Sequence, residues 1–261
     1  MSSFAYIARY PLTVATETVY IGTTRELAVA LDTLGKQYDR IVLEQLRPHL
    51  AQIISDPLDV TLLIKSLSLD DQLYLIEALG PGLANSFREA RYLSHFMATS
   101  RDAQVETKVL VTLGREGLRA LITTPEELAD VAQWFYGRSA PQLLELLGNA
   151  YLKSLFKNGY QLSIVLDSLD HTAQDDLLKR LKWEQIVTLV RDSRDLAHLL
   201  RTLVDRDSAR LLDHYTREQL ITIIGSASDW KYLNDHLDTV ILERMYRKLG
   251  ASSQNRGNRR R

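Results

Sequence analysis

Apolar residues recur along this chain at steps of three and four, the spacing of one helical face, and strict alternation is nearly absent. A longer period lies on top of that short one. A shift of 34 residues brings Leu121, Leu155, Leu189 and Ile223 into register, and with them Leu128, Leu162, Leu196 and Trp230. Phe135, Leu169, Leu203 and Leu237 form a third column, Leu144, Leu178 and Leu212 a fourth, and Leu147, Leu181 and Leu249 a fifth. A fixed period of this size marks stacked repeats, in which each unit buries its apolar face against its neighbours. The pattern therefore predicts an all-α chain. Its expected form is a right-handed α-solenoid, or superhelix, of about six to seven 34-residue repeats, each of two to three short helices.

The best-formed unit, 155–188, predicts helices over Tyr160–Leu169, Ala173–Leu181 and Trp183–Val190. Carried along the chain, the period sets repeats near 19–52, 53–86, 87–120, 121–154, 155–188, 189–222 and 223–250. Residues 1–18 are left as an N-terminal cap and 251–261 as a disordered basic tail. The unit 87–120 fits worst and is the expected place for a kink, because Ser94 and Arg101 fall in columns that are apolar elsewhere. Helix boundaries carry their own signals. Gly80-Pro81-Gly82, and then Gly114, Gly148 and Gly250, end the second helix of a unit. Thr124-Pro125-Glu126-Glu127 and Thr216-Arg217-Glu218-Gln219 read as capping boxes, Ser139 as a further N-cap, and Asn149 as the cap of a third helix.

Composition adds little to this and removes a good deal. There is no cysteine, hence no disulfide framework and no thiolate chemistry. The first residues lack the layout of a secretory signal, and no apolar run approaches the roughly 20 residues that cross a bilayer. A cytoplasmic protein is expected. The formal charge of −1 includes Arg256, Arg259, Arg260 and Arg261. Without those four the remainder carries −1 − 4 = −5, a poor sign for a general polyanion binder.

Candidate chemistry is sparse. The six histidines fall in different columns without a metal-binding spacing, so neither a metal nor a cofactor is expected. Asp70-Asp71, Asp175-Asp176 and the pair Asp205 and Asp207 sit at equivalent places in several units. Helix capping accounts for that recurrence better than catalysis, since an active site is normally built once. No phosphate loop or nucleophile elbow is present. A non-enzymatic role is expected. What remains is surface: Leu62, Phe96, Ile164, His198 and Tyr232 share one column beside the core stripe, with Tyr160, Trp134 and His236 near it. Such a ridge suits a partner protein, bound as a helix or an extended segment.

The segments Trp183-Glu184-Gln185-Ile186-Val187-Thr188 and Thr216-Arg217-Glu218-Gln219-Leu220-Ile221, together with the period, resemble the repeat of TAL effectors. That resemblance implies DNA reading through a loop after the first helix. The paired glycines of that loop are missing here, where the chain reads Arg191-Asp192-Ser193-Arg194 and Gly225-Ser226-Ala227. Armadillo-like arrays and the short-helix superhelical domains of flagellar-switch and magnesium-channel proteins are similar in kind. A protein-binding scaffold is the leading expectation. Nucleic-acid binding, with the arginine tail contributing, is the alternative, as is an effector delivered into a host cell.

Overall fold

A computed structural model of the chain describes residues 8–14, 16–54, 56–100, 102–135 and 139–250. The arginine tail therefore lies outside the described residues. Most of the described chain is helical. The exception is an antiparallel hairpin of β1 (Tyr10–Val14) and β2 (Glu17–Ile21), running from Tyr10 opposite Ile21 to Val14 opposite Glu17. This corrects the all-helical expectation for the N-terminus, and it places a strand across the predicted boundary at residue 18. Leu12 and Ile21 are buried while Thr13, Thr18 and Tyr20 are exposed, which is the alternation a half-buried sheet requires.

Helices follow in threes. The first three are α1 (Thr24–Leu34), α2 (Asp39–Leu46) and α3 (Leu50–Ile53), and the next are α4 (Pro57–Ser66), α5 (Leu69–Leu79) and α6 (Gly82–Phe87). Then come α7 (Ala90–Ser100) and the long α8 (Ala103–Leu121), which is broken at Gly114 (φ 56°) within the segment expected to kink. α9 (Pro125–Ala132), α10 (Ser139–Leu147) and α11 (Asn149–Leu155) precede α12 (Gly159–Ser168), α13 (His171–Leu181) and α14 (Trp183–Leu189). The last are α15 (Ser193–Thr202), α16 (Asp205–Asp213), α17 (Arg217–Ile223), α18 (Ala227–His236) and α19 (Thr239–Leu249). None of the described helices is long and apolar enough to cross a membrane.

The chain forms two compact units, one of residues 1–123 and 130–147, the other of 124–129 and 148–261. In the first, α1 packs on α4 and α4 on α7, while α2 packs on α5 and α5 on α8. In the second, α12 packs on α15 and α15 on α18, while α16 packs on α19. In each of these pairs a helix touches the one three places further along the chain, while α10 packs on the broken α8, two places before it. Helices of seven to eleven residues are marginal alone, so these contacts supply their stability. Leu128, Leu162 and Leu196, one predicted column, are all fully buried.

Local hydrogen bonding repeats with the same step. Asn158, Asp192 and Ser226 each cap the first helix of a triplet, and Thr124 exchanges both capping-box bonds with Glu127. Ser68, Asp102, Asp170 and Asp238 cap the second helix, with positions 136 and 204 completing that 34-residue series. At 204 a valine stands and makes no side-chain cap. The amide of Gln72 donates to the carbonyls of Ile64 and Leu67 at the end of the preceding helix. Gln174 does the same to Leu166 and Leu169, and Ser208 to Leu200 and Leu203. These three sets are displaced from one another by 102 and 34 residues.

Two expected caps lie elsewhere. Ser139 is buried inside α10 as its first residue, and Asn149 belongs to the first turn of α11, after a Gly148 that offers no side chain. The Asn149 carboxamide oxygen instead accepts from Arg180.

Candidate partner-binding surface

The second unit builds its exposed face on α12, α15 and α18. What brings α12 and α15 together is Gly159: a Cβ there would lie 3.0 Å from Asp195 Cβ and 3.1 Å from the Asp195 carbonyl. In that close approach Asp195 serves two helices. One carboxylate oxygen accepts from Tyr160 N (3.0 Å), and the other from Arg191 N (3.0 Å) at the start of its own helix. Between α15 and α18 the arrangement recurs one period later, with Ser193 in the Gly159 column and Asp229 in the Asp195 column. Ser193 Oγ donates to Asp229 Oδ1 (2.6 Å), and Ser226 N to Asp229 Oδ2 (2.9 Å). The hydroxyls of Ser193 and Ser226 hold the Asp229 carboxyl below its ordinary pKa.

With the helices locked in this way, their outer side chains meet. The Tyr160 ring stands edge-on to His198 at 4.8 Å, and Tyr232 stacks on His236 at 4.0 Å. The Arg194 guanidinium lies 5.8 Å from the Tyr232 ring centre, within reach of a cation–π attraction. On α15, residues 194, 198 and 201 share one face, so Arg194 and Arg201 flank His198, with Arg191 just ahead of the helix. All three arginines are exposed, and none forms an ion pair with a described residue. Asp167 and Asp235 occupy the Arg201 column on the flanking helices. The result is a strip of rings with a cationic middle and one acidic margin. Burial, followed by the nearby charge of Arg201, lowers the pKa of His198 and favours its neutral form.

Five of the eight expected partner-binding residues lie on these helices: Tyr160, Ile164, His198, Tyr232 and His236. The rings of four join in the two contacts above, while Ile164 is half-buried. The other three belong to the first unit. Leu62 is 61% exposed on α4. Trp134 is half-buried and donates from Nε1 to Ser94 Oγ (2.9 Å). Phe96 is fully buried, edge-on to Phe87, so it offers nothing to a partner. The cause is a one-residue slip: α7 turns Leu93, Phe96 and Met97 inward where the period alone would have used Ser94. Arg194 and Arg201 were absent from the expected set, although their spacing of seven on an evident helix was available as a signal.

The aspartate pairs turn out to be ion-paired, Asp71 and Asp175 with arginines on other helices and Asp176 with one on its own. Asp71 is ion-paired with Arg40 (2.9 Å), and Asp176 with Arg180 (2.6 Å). Arg206 spans Asp175 (2.9 Å) and Asp207 (3.2 Å) beside a hollow of about 600 Å³. The N-cap itself is Ser68 in α5 and Asp170 in α13, which corrects the expected capping by these aspartates, while Asp70, Asp71, Asp205 and Asp207 stand in first turns, at the positive end of their helices. Among the described residues, no three histidine or carboxylate side chains converge as a metal site.

Fold and site together define a predominantly α-helical protein whose helices pack on chain neighbours and whose most developed feature is a surface, not a cavity. No family model, curated protein or solved structure matches the chain.

Proposed function

We propose that the chain is a tandem 34-residue repeat protein, an α-solenoid, acting as a non-enzymatic scaffold that binds another protein along the strip of α12, α15 and α18. The repeat is supported by caps, carbonyl-directed amides and helix contacts that recur at one interval. Binding is supported chiefly by one observation: Tyr160, His198, Tyr232 and His236, with the Arg194 guanidinium among them, form a line of rings across three neighbouring helices. Tyrosine and arginine are common anchors of interfaces, offering large rigid contact and planar hydrogen bonding.

The test is capture from a lysate at moderate salt with the wild-type chain and a Tyr160→Ala, Arg194→Glu, Tyr232→Ala variant of unchanged circular dichroism. The expected result is a polypeptide held by the first and released by the second. Equal recovery by both would remove the strip from the account.

Exposed Arg194 and Arg201 interleaved with tyrosines also favour a second reading, a single-stranded nucleic acid stacked on the rings. Salt separates the two. Polynucleotide affinity limited by phosphate contacts falls linearly with the logarithm of salt concentration. Recovery of nucleic acid alone, with that dependence, would make this reading the preferred one.

A further inference from the structure

The hairpin has two edges, and they are treated differently. On β1 the outward main chain of Thr13 is already occupied: its N–H donates to Gln45 Oε1 (3.0 Å), and its carbonyl accepts from Gln45 Nε2 (2.8 Å). One side-chain amide stands in for a neighbouring strand. Because Thr13 turns both groups away from β2, its partner Thr18 turns both away from β1, and Tyr20, two residues on, does the same. Pro11, opposite Tyr20, fits this pattern, since its missing N–H lies where no ladder bond forms. No other described residue bonds the outward groups of Thr18 and Tyr20. Among the described residues, nothing covers the edge of β2.

Beside it runs a groove of about 490 Å³, lined on its apolar side by Leu12, Val19, Ile21, Val29, Ala30 and Leu34. Val19 is 45% exposed and Val29 58%. The groove has polarity as well. Glu17 stands at the hairpin turn, and Arg25 and Glu26 stand in the first turn of α1, where the Glu26 carboxylate is already taken by Arg9 and by the amides of Gly22 and Thr23. Arg25 is exposed and forms no ion pair with a described residue. An open strand edge beside exposed apolar side chains is a template for another strand.

We infer that the free edge of β2 is a strand-addition site for an extended segment of another protein, with apolar side chains at alternate positions and a carboxylate at the Arg25 end. Added antiparallel, such a segment exchanges main-chain bonds with Thr18 and Tyr20. The residue opposite Val19 then drops its side chain into the groove. This site rests on the hairpin alone and does not depend on the α12–α15–α18 strip.

The test selects a phage-displayed random octapeptide library on the full chain and measures the enriched peptides by fluorescence anisotropy. Expected are peptides with alternating apolar residues and an acid near one end, whose binding is lost on N-methylation of alternate amides. Tyr20→Pro removes an outward donor without touching the ladder, so it should weaken binding about fivefold or more. Should that variant unfold, Val29→Lys, on the exposed face of α1, carries the same expectation. Arg25→Glu should turn the selection toward a basic residue. Enriched peptides without alternation, or N-methylated peptides that bind as well as their parents, would overturn the inference. So would a wild-type dimer that Tyr20→Pro or Val29→Lys makes monomeric, since a second copy would then be the occupant.

Discussion

Lys182 ends α13 with φ 64° and ψ 144°, a conformation that belongs almost entirely to glycine. Glycines stand at the corresponding places one, two and three periods earlier, where Gly148, Gly114 and Gly80 have φ of 79°, 56° and 51°. The side chain at 182 therefore carries strain that its equivalents avoid, and Lys182→Gly should stabilise the fold by about 1 kcal/mol. A chemical denaturation curve checks this, and a lower midpoint would contradict it. His198 makes a second case at this scale. Its folded pKa lies below the ordinary 6.5, with burial the larger cause and Arg201 the next. Between those two values the unfolded chain binds more protons than the folded one, so stability rises with pH across that window and is level above it. His198→Gln should remove this slope from melting temperatures measured from pH 4 to 8. An unchanged slope would place the titration elsewhere.

At the scale of elements, the packing of α12 on α15 turns on Gly159. Gly159→Ala would press a methyl group against the Asp195 backbone and weaken the Tyr160 N–Asp195 bond, costing about 1–3 kcal/mol. Differential scanning calorimetry measures the loss, and a neutral result would mean that the two helices part freely. The helices themselves were legible in the sequence. Predicted Ala173–Leu181 and Trp183–Val190 compare with observed His171–Leu181 and Trp183–Leu189 because leucine columns and caps mark them. The hairpin was not legible. Pro11 and Tyr20 stand on its outward face and Glu17 on its inward one, which blurs the alternation, and its turn has none of the Asn-Gly or Asp-Gly chemistry that announces one. Phe96 misled for another reason, since a column inherited from the period ignores a one-residue slip. The strip was legible only in part. One shared column gives His198 and Tyr232, with Tyr160 beside it, but that Arg194 lies near the Tyr232 ring depends on the α15–α18 distance, bridged by Ser193 and Asp229.

For the whole molecule, the proposed repeat means that each 34-residue segment is stabilised by its immediate neighbours, so that a segment can be removed without undoing the rest. Deleting residues 189–222 joins Thr188 to Ile223, which stands in the Leu189 column, and brings Asp229 to the place where Asp195 receives Tyr160 N. Thermal unfolding of this shortened chain, followed by far-ultraviolet circular dichroism, is the most direct measurement. The account predicts unchanged helicity per residue and one cooperative transition a few degrees below that of the full chain. Loss of helicity, or a broad non-cooperative melt, would contradict it.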